Sequence, residues 1–213
     1  MKQGIGFFVL CIFLFSCGKT QVNSVAEYSK WINNPSNGLI VTRKINGLKL
    51  SVKYLPAEYL EYKEIQDANN NLKRQLDSLK NEYKNSITFL LTIGPDDDKG
   101  NKNDIMFDGI KNYKEYSERL LSLNFEIDKN ISLKTGGIEL KPVLSALENT
   151  YGLSKNRTIV FAFSPTKNEK QEIENSKEID FIYSDDLFQL GCMHFNFSGN
   201  DLKNLPLISE WKK

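Results

Sequence analysis

Cys192 and His194 stand two residues apart, and both residue types bind metals and transfer protons. The alternation of Met193, Phe195 and Phe197 predicts a strand there, which puts Cys192 and His194 together on the opposite face. A zinc site takes three or four ligands. His194 is the only histidine, so Asp185 or Asp186 would have to complete the set, and the composition argues against a metal. Two rises along a strand separate side chains by about 6.5–7 Å, too far for direct proton transfer. The expectation is therefore a half-exposed histidine beside a packed cysteine. Asp96-Asp97-Asp98 with Asp104 offers carboxylates for calcium, but an EF-hand register with Gly100 sixth puts Pro95 at the first ligand position. Glu139, Glu148, Asp180, Asp185 and Asp186 supply carboxylates for glycosidase-like acid–base hydrolysis, with no spacing that sets two of them across a cleft. The chain has no Gly-x-Ser-x-Gly, His-Glu-x-x-His, phosphate-binding loop or dinucleotide glycine turn. No catalytic residue, metal or cofactor is predicted.

The other chemistry-bearing cysteine is Cys17. Lys2 precedes an apolar run from Ile5 to Phe15, which closes on Leu14-Phe15-Ser16-Cys17. A basic start, a short apolar stretch and a small residue before the cut describe a secretory signal peptide. The run falls short of the roughly 20 apolar residues of a spanning helix. Leu14-Phe15-Ser16-Cys17 resembles the lipobox of bacterial lipoproteins, and Ser16-Cys17-Gly18-Lys19 is similar to the start of envelope lipoproteins from Bacteroidota-type Gram-negative bacteria. That resemblance implies cleavage after Ser16, diacylglycerol on the Cys17 thiol and a palmitate-bearing N-terminus. Each buried methylene contributes about 0.8 kcal/mol, and more than one chain anchors stably. Gly18-Lys19-Thr20-Gln21 lacks the acidic pair that resembles a surface-export signal. The resemblance thus implies the periplasmic face of the outer membrane, with the cell surface as the alternative. Asp77-Ser78-Leu79 is similar to a short O-glycosylation acceptor of periplasmic proteins from such bacteria, and an ordinary helix surface is the default reading there.

These positions need elements to hold them. Residues 1–16 are predicted to be a signal peptide, 17–24 a lipidated tether, and 25–213 one globular domain. Acidic residues number 27 and basic residues 28, Lys2 among the latter, so the mature charge is close to neutral and offers no nucleic-acid footprint. Cys11 leaves with the signal and Cys17 takes lipid, so Cys192 has no intrachain partner, and stability must come from burial.

Val25 to Asn33 shows helical spacing, ended by Asn34-Pro35-Ser36-Asn37-Gly38. Leu39–Ile45 and the alternating Leu48–Tyr54 flank Asn46-Gly47, the signature of a type I′ hairpin. Ala57 to Lys84 has no Gly or Pro and predicts a helix of roughly 40 Å, with Asn69 and Leu72 in its stripe. It is expected to pack within its own chain against a second helix, Ile110 to Phe125, which carries Tyr116 and Leu120. Ser86–Ile93 reads as a central buried strand, and Ile131–Lys134 with Ile138–Leu140 as a hairpin over Gly136-Gly137. Val143–Tyr151 fits helix or strand, and a strand paired with Thr158–Phe163 is favoured. Glu169–Lys177 reads as a charged loop, and Ile179–Tyr183 and Met193–Phe197 as strands.

The sum is an α+β fold, a mainly antiparallel sheet with a long helix and a second helix between early strands, covering one face. Its aromatic residues, among them Trp31, Tyr54, Tyr62, Tyr113, Tyr116 and Phe188, serve the core, with an exposed subset as interface anchors. The expected function is a lipid-anchored, periplasm-facing protein that binds an envelope protein or a cell-wall component. A carboxylate-dependent envelope hydrolase is the alternative.

Overall fold

The structure, a computed structural model, describes residues 20–67, 83–96, 103–150 and 152–208. The Asn46-Gly47 turn builds its first unit. Both residues take positive φ (49° and 78°), so β2 (Ile40–Ile45) and β3 (Leu48–Leu55) pair with Ile45 opposite Leu48. The apolar run β4 (Ile87–Pro95) adds antiparallel to β3, and β8 (Arg157–Phe163) adds to β4. The ambiguous segment after Pro142 is a strand, β7 (Leu144–Leu147), at the edge beside β8. The first sheet therefore runs β2-β3-β4-β8-β7.

A second antiparallel sheet runs β10-β9-β5-β6, from β5 (Ile131–Thr135), β6 (Ile138–Leu140), β9 (Glu178–Asp185) and β10 (Gly191–Ser198). Class and mainly antiparallel pairing are as expected. The arrangement corrects the single helix-covered sheet, because the second sheet itself covers the inner face of the first. Leu50, Val52, Phe89, Leu91 and Phe161 meet Leu133, Phe181, Phe195 and Phe197 in one buried cluster. Phe89 sits 5.4 Å from Phe181 and 5.2 Å from Phe197, ring centre to ring centre, and so joins the two sheets directly.

A smaller core forms at one corner. Helix α1 (Val25–Ile32), capped by Ser24, buries Tyr28 and Ile32 with Val22, Leu39 and Leu55. Helix α2 (Ala57–Asp67) adds Tyr59 and Leu60, with Tyr59 edge-on to Tyr28 at 5.7 Å. The described part of the long helix thus packs on α1, and the expected partner is corrected. Helix α3 (Tyr113–Phe125) follows Asn112, which caps the Glu115 N–H. Its Tyr116 stacks on Phe107 while Leu120 is partly exposed. Asn69 and Leu72 lie outside the described residues.

The charged stretch after β8 corrects another expectation, since it forms α4 (Lys167–Asn175) rather than a loop. Thr166 and Glu169 make a reciprocal capping box, and Ile173 is the one apolar residue of the helix and is buried. A short α5 (Gly199–Lys203) follows β10, and β11 (Leu207–Ile208) then pairs parallel with β1 (Gln21–Val22). Gln21 and Val22, expected within the tether, are thereby tied to the domain. Among the described residues no helix is long and apolar enough to cross a membrane.

Phe181 contacts the rings of Phe89, Phe161, Phe163 and Phe195. Phe181→Ala is expected to lower the unfolding free energy in urea by about 3–5 kcal/mol. Tyr113→Ala, at a side chain 82% exposed, is expected to change it by no more than about 0.5 kcal/mol.

Candidate functional site

The chain segments that leave the sheets enclose a cleft of about 1040 Å³. Its floor is apolar, from Ile87 at the start of β4, Ile173 of α4, Ile179 of β9 and Leu202 of α5. Its rim is charged, with Glu58 of α2, Lys84, Lys170 and Glu174 of α4, and Lys203 of α5. Sequence dictates these walls locally. The Thr166–Glu169 capping box starts α4. Gly199 lets α5 begin against the end of α4, because a Cβ there would lie 2.0 Å from the Ser176 carbonyl oxygen. Lys170 pairs with Glu174 at 3.8 Å and also donates to the Lys84 carbonyl, which stitches α4 to the strand entering β4.

Tyr54 of β3 lines the cleft, and its phenol is pushed up to about 12, first by burial and then by the Glu174 and Glu58 carboxylates. Apolar floor, mixed-charge rim and a half-buried phenol suit an amphipathic ligand that carries both amino and carboxylate groups. Three glutamates, Glu58, Glu61 and Glu174, share this cleft. None was among the carboxylates singled out from sequence, although Glu58 and Glu61 stand i,i+3 on one helix and Lys170 and Glu174 stand i,i+4 on another.

The expected carboxylates go elsewhere. Asp185 is buried, accepting from the Tyr183 hydroxyl at 2.6 Å and from the backbone N–H groups of Leu187, Phe188 and Leu190. It holds the β9–β10 turn. Asp186 lines a separate, smaller cavity of about 270 Å³ beside Lys129 and Tyr183. Glu139 pairs with Lys134 across the β5–β6 hairpin, and that hydrogen bond lowers its carboxyl below the ordinary range. Asp96 pairs with Lys44 at 3.0 Å and Asp104 with Arg157 at 2.7 Å, so neither has the open carboxylate of a calcium loop. Cys17, Ser78, Asp97 and Asp98 lie outside the described residues.

Cys192 departs from its expectation. It is exposed rather than packed, and its Sγ lies 3.7 Å from His194 Nε2. His194 Nδ1 in turn lies 2.7 Å from Asp180 Oδ2 on the neighbouring strand. The imidazole thus stands between the two, with Asp180 opposite Asn196 and Cys192 opposite Ser184 in the strand register. Among the described residues no group of three or more His, Cys, Asp or Glu is placed to hold a metal ion.

No protein-family model and no curated protein sequence matches the chain. Among solved structures it is similar to a novel protein of unknown function from Burkholderia pseudomallei K96243. The TM-score is 0.40 at 9% identity, over 85% of this chain and 93% of that one.

The Tyr54 phenol gives a pH signature. An ordinary tyrosine ionises near 10, and here the folded value is about 12. Below pH 10 its contribution to stability is fully present. Between 10 and 12 the unfolded chain ionises first and stability falls. Tyr28 and Tyr183 are raised by burial too, and add to the loss. Urea midpoints measured across this window should decline in the wild type and decline less steeply in Tyr54→Phe.

Proposed function

We propose that this chain is a lipid-anchored envelope protein, held at the periplasmic face of the outer membrane through Cys17, that binds a peptide-like segment of an envelope protein or cell-wall component. The cleft between α2, α4 and α5 carries the reading. Its volume falls at the upper end of the range for ligand sites, its floor buries apolar groups, and its three lysines and three glutamates match a ligand of mixed charge.

The segment that follows the anchor lies beside the cleft in the fold although the two are far apart in sequence. The Leu207 N–H donates to the Thr20 carbonyl at 2.8 Å, and Leu205, two residues earlier, lines the cleft. From Cys17 to Thr20 the chain spans at most about 11 Å. Acylated at Cys17, the domain hangs close to the lipid with the α5 wall of the cleft on the near side. A short leash suits capture of a component held in the same envelope layer.

The three cleft glutamates also support the hydrolase alternative, in which one carboxyl donates a proton and another activates water. The two readings part on turnover. A photo-crosslinking residue at Lys203 of the full chain, expressed in its envelope, should capture a discrete peptide-containing adduct, and the same residue at Lys129 should not. Leu202→Trp, which fills the floor, should abolish the adduct. Equal capture from both positions would contradict a cleft ligand. Product release that Glu58→Gln or Glu174→Gln stops while capture persists would turn the reading to the hydrolase. Cys17→Ala should leave unprocessed precursor without acyl label; acylation persisting in that variant would remove the anchor.

A further inference from the structure

The outer face of the second sheet carries an ordered series that the cleft does not use. Asp180 Oδ2, His194 Nδ1, His194 Nε2 and Cys192 Sγ follow one another, with contacts of 2.7 Å and 3.7 Å. A carboxylate accepts only, so Nδ1 carries the proton and Nε2 turns its lone pair toward the thiol. On the far side of the sulfur, the Ser184 hydroxyl donates at 3.8 Å. Among the described residues Asp180 Oδ1 is buried without a hydrogen-bond partner, and the imidazole is the carboxylate's hydrogen-bonded neighbour. Arg43, reaching from β2 of the other sheet, donates to the His194 carbonyl at 3.3 Å and fixes the strand edge that carries the histidine. A base on one side, a hydroxyl donor on the other and a carboxylate behind the base are what a thiol nucleophile requires.

We infer that Cys192 is a nucleophilic thiol that undergoes exchange with small-molecule disulfides, with His194 as its base and Asp180 as the positioning residue. Both Cys192 and His194 are exposed on an open strand surface, which suits this chemistry. Acyl transfer needs donors arranged around a developing oxyanion. Disulfide exchange passes charge from one sulfur to another and asks only for access and a thiolate. The step balances without another reactant. His194 Nε2 takes the thiol proton, Sγ attacks one sulfur of R–S–S–R′, and that S–S bond breaks as the Cys192–S–S–R bond forms. The leaving R′S⁻ takes the proton from the imidazolium. The Cys192 sulfur is oxidised and the leaving sulfur reduced. Past residue 17 no other cysteine exists to resolve the mixed disulfide. The cap stays until an external thiol removes it, which makes Cys192 a reversible thiolation site.

The test uses the full-length protein and an aromatic disulfide probe, with mixed-disulfide formation at the Cys192 peptide followed by mass spectrometry. The folded wild type should react on the order of tenfold faster than the same protein unfolded in urea. His194→Ala should lose that advantage, Asp180→Asn should lose part of it, and in Cys192→Ser the mixed disulfide at the residue-192 peptide should vanish. Cys192 and His194 are exposed and Asp180 is partly so, and urea midpoints matching the wild type would show that each variant folds. If His194→Ala does not fold, His194→Gln takes its place. A folded wild type no faster than the unfolded chain, or a folded His194 variant as fast as the wild type, would overturn the assignment.

Discussion

The packing of Phe89 against Phe181 and Phe197 is the contact on which the rest of the molecule depends. Phe89 comes from the central strand of one sheet, and its partners come from the two strands at one side of the other. Tilted aromatic pairs of this kind contribute about 0.5–1.5 kcal/mol each beyond the area they bury. With Cys192 lacking an intrachain partner, this apolar contact is what keeps the sheets face to face. Sheet separation then sets where the connecting helices sit. α2 leaves β3, α4 joins β8 to β9, and α5 leaves β10. These three exits gather at one end of the sandwich, and the space between them is the cleft.

The strands were legible because their signal is local. Alternation at Leu48–Tyr54 and Met193–Phe197 reports period two within a few residues, and the Asn-Gly turn and the unbroken apolar run into Ile93 are equally local signals of a hairpin and a buried strand. That periodicity says which side is buried and nothing about what buries it, so a second sheet and a layer of helices read alike. Helix α4 was hidden for the opposite reason. With Ile173 as its buried residue it has no apolar stripe, and its one signal was the Thr166–Glu169 capping box.

The sites show the same division. Glu58 and Glu174 share a cleft although 115 intervening residues carry the chain through five strands of two sheets, and no local spacing encodes such a meeting. Cys192 and His194 were paired correctly on one face, but the distance argument used the backbone rise alone. Asp180, on the adjacent strand opposite Asn196, holds Nδ1 from the side away from Cys192 and so fixes the orientation of the imidazole whose Nε2 meets the sulfur. Cross-strand neighbours decide side-chain geometry as much as the strand's own spacing does.

The proposed anchor at Cys17 would present the cleft beside the membrane. Lys203 borders that cleft, whereas Lys129 lines the smaller cavity with Tyr183, four residues along β9 from the cleft residue Ile179. At about 3.4 Å per residue Ile179 and Tyr183 are roughly 14 Å apart along the strand. Spin labels on Lys203→Cys and Lys129→Cys, each in a Cys192→Ser background of the acylated protein on lipid vesicles, measure which end lies near the bilayer. A lipid-soluble relaxing agent should broaden the label at 203 far more than the label at 129. Equal broadening at both positions, or stronger broadening at 129, would contradict a membrane-facing cleft.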